Sequence, residues 1–458
     1  LRPEQLDVYK GAPRDPLAVE SQRPISIQSF AAKSFEGVAL QRLALLAPSP
    51  IWQGVAHRGV GVVHNLHVVL DITTYRYAYG LATFGAIDDI RRGYPSTSHK
   101  EAALALHRQG ARGHVLCALN ALYRDVQVRV QLAPGRFSAT TVSLEVGLPQ
   151  GGRSPPAQFT AMARSSTMAL AHAGCGVTIA GVHVPEIAFM DDALKLAGAW
   201  AGFPTIFQVS RQWGYEHRKE FDLAKFLLVE LLAPGATPTA VGSSLSLRFE
   251  PAAEADGRRG LRASCHLERV IRADATLTGF HLNGHETIAL STASRLASCL
   301  ERLAINGGLS LRIGQELWAW TLHIRPRLEY CSPLFRSELG LAGRFEAIQL
   351  RCLYALVMCG ARPNTRYSGA VLRELFGELS MSTRRFIARV GYAYSLDLVR
   401  WRSTHLDGLR AARVDDPTES PAARARLHDH WERFARQGQH DVAERRDSPA
   451  AYFWTWSI

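Results

Sequence analysis

No stretch of this sequence approaches the roughly 18 consecutive apolar residues that a membrane-spanning helix requires, and nothing near its start reads as a secretory signal. No membrane-spanning segment is expected. Cysteine is scarce: seven residues in 458, scattered, odd in number and never in a CxxC pair. That pattern argues against a disulfide framework and against a cysteine zinc site, and it points to a reducing, intracellular setting. There is no internal repeat, so a solenoid or propeller is not expected. Acidic residues are outnumbered, 41 Asp and Glu against 53 Lys and Arg, for a formal net charge of +12. A basic excess of that size suits a polyanion such as nucleic acid or an acidic membrane surface, and by itself it chooses neither.

What is present, with 47% apolar and 21% charged residues, suffices for two or three globular domains. The chain begins at Leu1 rather than Met, so it is expected to be part of something longer. After Arg23-Pro24-Ile25-Ser26, the residues Phe30, Phe35, Val38, Leu40, Leu43 and Leu45 follow helical spacing. Leu81 to Ile87 is a short apolar run that ends in Asp88-Asp89, and it reads as a buried strand delivering carboxylates. Helices are expected near residues 100–109 and 114–123, either side of a glycine-flanked turn. Val126, Val128, Val130 and Leu132 alternate with polar residues as in a half-buried strand, with 140–144 as a second strand beyond Pro134-Gly135. Ser154 as N-cap and Pro155 at the first helical position begin a helix expected to end before Gly174. Strands at 177–180 and 187–190 then lead to Asp191-Asp192 in a hairpin turn. Residues 233–260, rich in Pro, Gly, Ser and Ala, read as a flexible insertion, and from about 291 to 400 the pattern is amphipathic helix.

An Asp-Asp pair alone is a common solvated turn. The order here is less common: Asp89 ends one apolar strand, Gly147-Leu148-Pro149-Gln150-Gly151 follows, and Phe189-Met190-Asp191-Asp192 comes next. Carboxylates on rigid strand ends are what hard, oxygen-seeking cations need, and two such ions about 3.5–4 Å apart promote phosphoryl transfer to a hydroxyl.

In that order the segments resemble a reverse transcriptase of the non-LTR (LINE-type) retrotransposon class, over roughly residues 20–400. Asp89 is followed five residues later by Tyr94, the family's offset from carboxylate to aromatic; its neighbour Asp88 lacks that offset, and Leu70-Asp71-Ile72 has Arg76 where the aromatic belongs. The Gln150 loop with Ser154-Pro155 and Phe159, and the aromatic-x-Asp-Asp turn at Phe189, match the next two motifs. Phe221-Asp222-Leu223-Ala224-Lys225 resembles the segment carrying the palm lysine. Thr278-Gly279-Phe280-His281-Leu282 resembles the primer grip, with Thr-Gly in place of Leu-Gly. Arg23-Pro24-Ile25-Ser26 with Lys33 resembles the start of the fingers, and Ile324 to Tyr330 with Phe345 to Gln349 resembles the thumb.

The resemblance implies an α+β fold of the right-hand polymerase type, with fingers and palm around an antiparallel sheet and a helical thumb. The expected division is fingers at 1–74, palm with the remaining fingers at 75–232, a flexible insertion at 233–262, primer-grip strands at 263–290, thumb at 291–400 and a helical extension at 401–458. It implies RNA-directed DNA synthesis in an intracellular ribonucleoprotein of nucleus or cytoplasm, with RNA template, DNA primer and dNTPs as partners and no membrane. Asp89, Asp191 and Asp192, with the carbonyl of Ile90, would hold two Mg²⁺ ions, Mn²⁺ being the substitute. Tyr94 would favour deoxynucleotides by crowding a 2′-hydroxyl, and Gln150 would touch the template base or incoming nucleotide. Lys225 would neutralise or protonate the departing pyrophosphate, its other reading being an ordinary surface lysine. Arg23 would touch triphosphate or template backbone, its other reading being a solvated charge.

Two other readings are weighed beside this one. The altered primer-grip segment suits a catalytically inactive, nucleic-acid-binding relic. Another right-hand polymerase, such as an intron maturase or an RNA-dependent RNA polymerase, is the second; the latter usually carries Gly-Asp-Asp at the turn and a carboxylate where Tyr94 stands. His428, Asp429, His430 and His440 are spaced irregularly with no cysteine near, against a zinc site. No endonuclease signature or zinc knuckle is found, so a DNA-nicking activity is expected to lie outside these residues.

Overall fold

The computed structural model describes residues 4–9, 22–46, 61–123, 126–133, 136–144, 146–179, 182–233, 236–250, 264–283, 285–306, 317–334, 339–357, 368–385, 387–388 and 392. The His428 to His440 cluster, the 401–458 extension, the Asp256 to Gly260 turn and most of the helix expected to reach residue 400 lie outside them. The fold mixes sheets and helices, and the chain divides into two compact units, Leu1–Thr278 and Gly279–Ile458. The segment expected as primer-grip strands, 263–290, straddles that division.

In the first unit, β1 (Glu4–Tyr9), β2 (Gln22–Ile27), β4 (Gln127–Ala133) and β5 (Arg136–Phe137) form a sheet in the order β2-β1-β4-β5, with β6 (Val142–Ser143) also on β4. A second, six-stranded sheet runs β12-β13-β11-β3-β10-β9. It comprises β3 (Thr83–Asp89), β9 (Glu186–Phe189), β10 (Asp192–Ala197), β11 (Leu227–Leu231), β12 (Ser244–Phe249) and β13 (Cys265–Arg272), with β7 (Val177–Ile179) and β8 (Val182–Val184) as a separate hairpin. Most of its pairings are antiparallel, but β11 runs parallel to β13, so the sheet is mixed rather than purely antiparallel.

Strand β12 corrects the expectation of a flexible insertion at 233–262. Leu245, Leu247 and Phe249 alternate with Ser244, Ser246 and Arg248, and they bury one face against β13's neighbours in the core. Pro, Gly and Ala on either side dilute that short alternation below notice in the sequence. Helix α2 (Val62–Ala78) was likewise not expected. Its buried residues include His64, Asn65, His67, Asp71 and Arg76, which erase any apolar stripe. Two of them are held by hydrogen bonds: the Asn65 amide donates to the Ala188 carbonyl of β9 at 2.8 Å, and Arg76 donates to the Ala82 carbonyl at 2.7 Å.

One face of the second sheet packs on α5 (Ser154–His172) and α6 (Phe203–Glu216). Phe84 and Ala86 of β3, Leu228 of β11 and Ile271 of β13 meet Leu170, Phe203, Ile206 and Phe207 there, all less than 5% exposed. Burial of that many aromatic and branched side chains supplies the main driving force for this unit, on the order of 2 kcal/mol per large residue. A second cluster joins α1 (Phe30–Leu46), α3 (His99–Gln109), α4 (Gly113–Ala121) and α5 through Ala39, Leu43, Leu106, Val115, Leu119 and Ala161.

Among its described residues the second unit is mainly helical. In α7 (His285–Asn306) the buried residues Leu290, Ala293, Ala297 and Leu300, and in α9 (Leu339–Val357) Phe345, Ile348, Cys352 and Ala355, repeat at three and four. They enclose Trp320, Ile324 and Leu328. A π-turn at Trp320–Ile324 leads into α8 (Arg325–Glu329). Pro326 accounts for it: with no N–H to give to the carbonyl of Leu322 and a ring that crowds it, the proline forces the preceding turn to widen. Arg325, Glu329, Glu378 and Arg384 form a charged cluster, with Arg384 2.7 Å and Arg325 3.1 Å from Glu378.

Candidate active site

The site is built on the end of β3. Successive side chains on a strand point to opposite faces, so Asp88 and Asp89 part company there. Asp88, 1% exposed, turns toward the helices and is 2.8 Å from Lys195 of β10 and 3.0 Å from Arg211 of α6. Lys195 also donates to Ser210 at 2.8 Å, and the Arg211 guanidinium lies 4.2 Å from the centre of the Phe221 ring. A buried carboxylate left alone would cost several kcal/mol, and these two cations compensate it. Nearby Glu186 receives a hydrogen bond from Thr167, and burial holds its carboxyl above the usual range.

Asp89 takes the other face, and in the β3–β10 ladder it lies directly opposite Asp192. Asp192 is in turn paired with Phe189, so Met190 and Asp191 form a two-residue hairpin loop between β9 and β10. Met190 has φ of 61°, as the first central position of such a loop demands, and a side chain there is strained. The Tyr94 hydroxyl donates to its sulfur at 2.8 Å. Tyr94 itself stacks on Phe159, with ring centres 5.0 Å apart and planes within 12°, beside Ile90, Trp213 and Phe221. Burial, and then the charge of Asp191, push its hydroxyl well above the ordinary tyrosine range.

Residues 220–222 zip onto the end of β3. Arg91 N–H donates to the Glu220 carbonyl at 2.7 Å, Asp222 N–H to the Asp89 carbonyl at 2.9 Å, and Ile90 bridges Phe221. The Asp222 carboxylate then accepts from Ala224 N–H at 3.2 Å, starting a short 3₁₀ turn, Leu223–Lys225. That turn brings the Lys225 ammonium into contact with the Asp89 carboxylate, and leaves it 3.9 Å from that of Asp222.

The Gln150 loop sits on two supports. Gly147 N–H donates to the Thr97 carbonyl and Leu148 N–H to the Tyr94 carbonyl, both at 2.9 Å, and Ser26 N–H of β2 donates to the Gln150 carbonyl. Gly151 has φ of 116°, and a β-carbon there would lie 2.5 Å from the Ser26 carbonyl oxygen, so only glycine fits. Arg23 lies on β2, opposite Val8. The residue expected to cap α5 does not do so: Ser154 is the first residue of the helix and Arg153 its N-cap. The carboxylate of buried Glu36, on α1, accepts from Arg153 N–H at 2.6 Å and from the Ser154 hydroxyl at 2.8 Å. A full negative charge at a helix N-terminus outcompetes the local hydroxyl.

Sequence reasoning passed over Glu36, the Asp88 partners Lys195 and Arg211, and Lys219. Lys219 is buried and donates to the Ser96 carbonyl at 2.8 Å and the Thr97 hydroxyl at 3.0 Å. Burial, only partly offset by Glu101, pushes its pKa down to about 8. These are single charged residues far apart along the chain, without local pattern to mark them.

Asp89 and Asp192 are thus brought together, with Lys225 on Asp89. Asp191 lines a cavity of about 20 Å³ with Asp88, Met190, Lys195 and Trp213. Among the described residues no three His, Cys, Asp or Glu side chains gather into a group that holds a metal ion. The donor chemistry of the Asp89–Asp192 pair fits a hard divalent cation.

No protein-family model matches the chain, and no curated protein does. Among the described residues no helix is long and apolar enough to cross a membrane. Of solved structures, telomerase from Candida albicans in complex with a TWJ fragment of telomeric RNA matches 88% of this chain and 64% of that one, at 10% identity and a TM-score of 0.37. Telomerase from Candida tropicalis, in complex with the same kind of fragment, matches 86% and 62%, at 10% identity and a TM-score of 0.35. The chain spans slightly less than two thirds of these telomerase chains.

Proposed function

We propose that the chain is an RNA-directed DNA polymerase of a retroelement, of the non-LTR type, which joins dNTPs to a DNA primer 3′-hydroxyl on an RNA template. The observation that carries this reading is the Asp89–Asp192 pair in direct register, with Asp191 next in the turn and Tyr94 held against that turn. Two carboxylates directly opposite on neighbouring strands form a donor pair of the kind a hard cation takes. Asp89, Asp192 and Asp191, with the Ile90 carbonyl, would hold Mg²⁺ or Mn²⁺, which when bound supplies charge to activate the hydroxyl and to neutralise departing pyrophosphate.

The chain's own residues do the positioning. Tyr94, fixed between Phe159 and Met190, presents a wall that cannot swing aside for a 2′-hydroxyl. Gln150 rides on a loop tied both to Tyr94's segment and to Arg23's strand, where it would meet template base or incoming nucleotide while Arg23 meets phosphate. Lys225 would face the pyrophosphate. In this reading the six-stranded sheet is the palm, β1, β2, β4 and α1–α4 the fingers, and the helices after Gly279 the thumb. The reading places the protein in an intracellular ribonucleoprotein.

Primer extension tests it, with an oligo(dT) primer on poly(rA), Mg²⁺ and labelled dTTP. Wild type is expected to incorporate, and D89N and D191A to lose about a thousandfold or more of that activity, as befits removal of metal-holding carboxylates. No incorporation by wild type, or unchanged incorporation by the variants, overturns the reading. A second reading, a nucleic-acid-binding protein without activity, draws on the lysine at Asp89. It expects binding of the same primer–template with no incorporation.

A further inference from the structure

We propose that Lys225 is the resident counter-cation of Asp89, and that a divalent cation and the Lys225 ammonium exclude one another there. The inference rests on the reading of the Asp89–Asp192 pair as a cation site, and it adds how access to the site is governed. Three observations carry it. The ammonium touches the Asp89 carboxylate, which is only 17% exposed and so can serve few partners at once. The Lys225 side chain is itself 52% exposed, hence mobile at its tip and able to leave without disturbing the core. Asp222, 3.9 Å away, offers the ammonium a second carboxylate, held in place because its other oxygen caps the 3₁₀ turn.

Lys225 therefore has two docking points, Asp89 at the end of β3 and Asp222 on its own segment. On Asp89 it neutralises the carboxylate that faces Asp192 across the β3–β10 ladder. A divalent cation, with twice the charge and a preference for oxygen, takes that place and hands the ammonium to Asp222. Metal arrival and release of the lysine toward its next partner are then one event. Because Asp222 N–H is bonded to the Asp89 carbonyl, the distance over which the ammonium moves is fixed by the backbone.

The test is Mn²⁺ binding to the full 458-residue chain, read from the loss of the free-ion electron paramagnetic resonance signal, with no substrate present. K225M is expected to bind the ion about two- to fivefold more tightly than wild type, the strength of a half-exposed ion pair released. D222N keeps the cap but removes the second dock, and is expected to weaken binding by a similar factor. In K225M/D222N the weakening is expected to shrink, since Asp222 acts through the lysine. Unchanged or weaker binding by K225M overturns the inference, as does a D222N effect of the same size with and without Lys225. Binding that D89N leaves intact, or no binding by wild type and K225M alike, overturns the cation site itself and with it the proposed function. Far-ultraviolet circular dichroism of each variant separates these outcomes from misfolding, and a misfolded K225M is replaced by K225Q with the same expectation.

Discussion

Lys219 ties the loop that carries Tyr94 to the segment that follows α6, and it does so with a charged group that burial disfavours. Its folded-state pKa of about 8 lies below the ordinary lysine value of 10.5. Between those two values the unfolded chain holds a proton that the folded chain has released, so this residue makes stability rise as pH climbs through the window. Tyr94 and Tyr123, pushed up by burial, act in the opposite sense only from their ordinary value of 10.0 upward. From pH 8 to 10, then, the urea midpoint of wild type is expected to gain on that of K219M. A difference between the two that does not change with pH counts against the assignment.

At the level of the elements, β3 is held to β10 and α6 by one carboxylate and two cations that water does not reach. D88N leaves Lys195 and Arg211 buried without their anion, and is expected to cost about 3–5 kcal/mol in urea unfolding. R91A removes a pair whose side chains are 57% and 63% exposed, and is expected to cost less than about 1 kcal/mol. Equal costs would mean that the buried network is not what joins these elements. The contrast also shows what a sequence makes legible. The apolar run before Asp89, the glycines of the Gln150 loop and the acidic hairpin are local patterns, and the strand and loop lie where those patterns put them; the hairpin turns one residue earlier than expected, on Met190-Asp191, with Asp192 already on β10. Glu36 capping a helix that starts more than a hundred residues later is a product of tertiary packing. So are the polar face of α2 against β9 and the path of β12 through a Pro- and Gly-rich stretch, each decided by a partner the local sequence does not name.

The molecule as a whole carries a net charge of +12. If its partner is a nucleic acid, phosphate neutralisation releases counterions, and affinity falls linearly with salt on a logarithmic scale. Binding of an RNA–DNA primer–template is expected to weaken by about a hundredfold or more between 50 and 200 mM KCl, as for a protein making several phosphate contacts. Fluorescence anisotropy across that range measures the slope. A slope near zero would assign the basic excess to solubility alone. The same comparison repeated with a single strand asks whether the basic surface prefers a duplex. The division of the chain at Thr278 and Gly279 gives that experiment a natural second form, with Leu1–Thr278 and the full chain side by side.

Asp88 and Asp89 are adjacent codons whose side chains leave the strand in opposite directions, one into a sealed ionic network and the other toward Asp192. On the proposed reading their lesions belong to different genetic classes. Substitutions at 88 weaken the folded state and give heat-sensitive alleles, rescued by cool growth; substitutions at 89 remove chemistry and are inactive at every temperature. A one-residue deletion earlier in β3 turns Asp89 into the buried place of Asp88 and sets Ile90 opposite Asp192, a product whose activity neither cooling nor a second-site stabilising change restores.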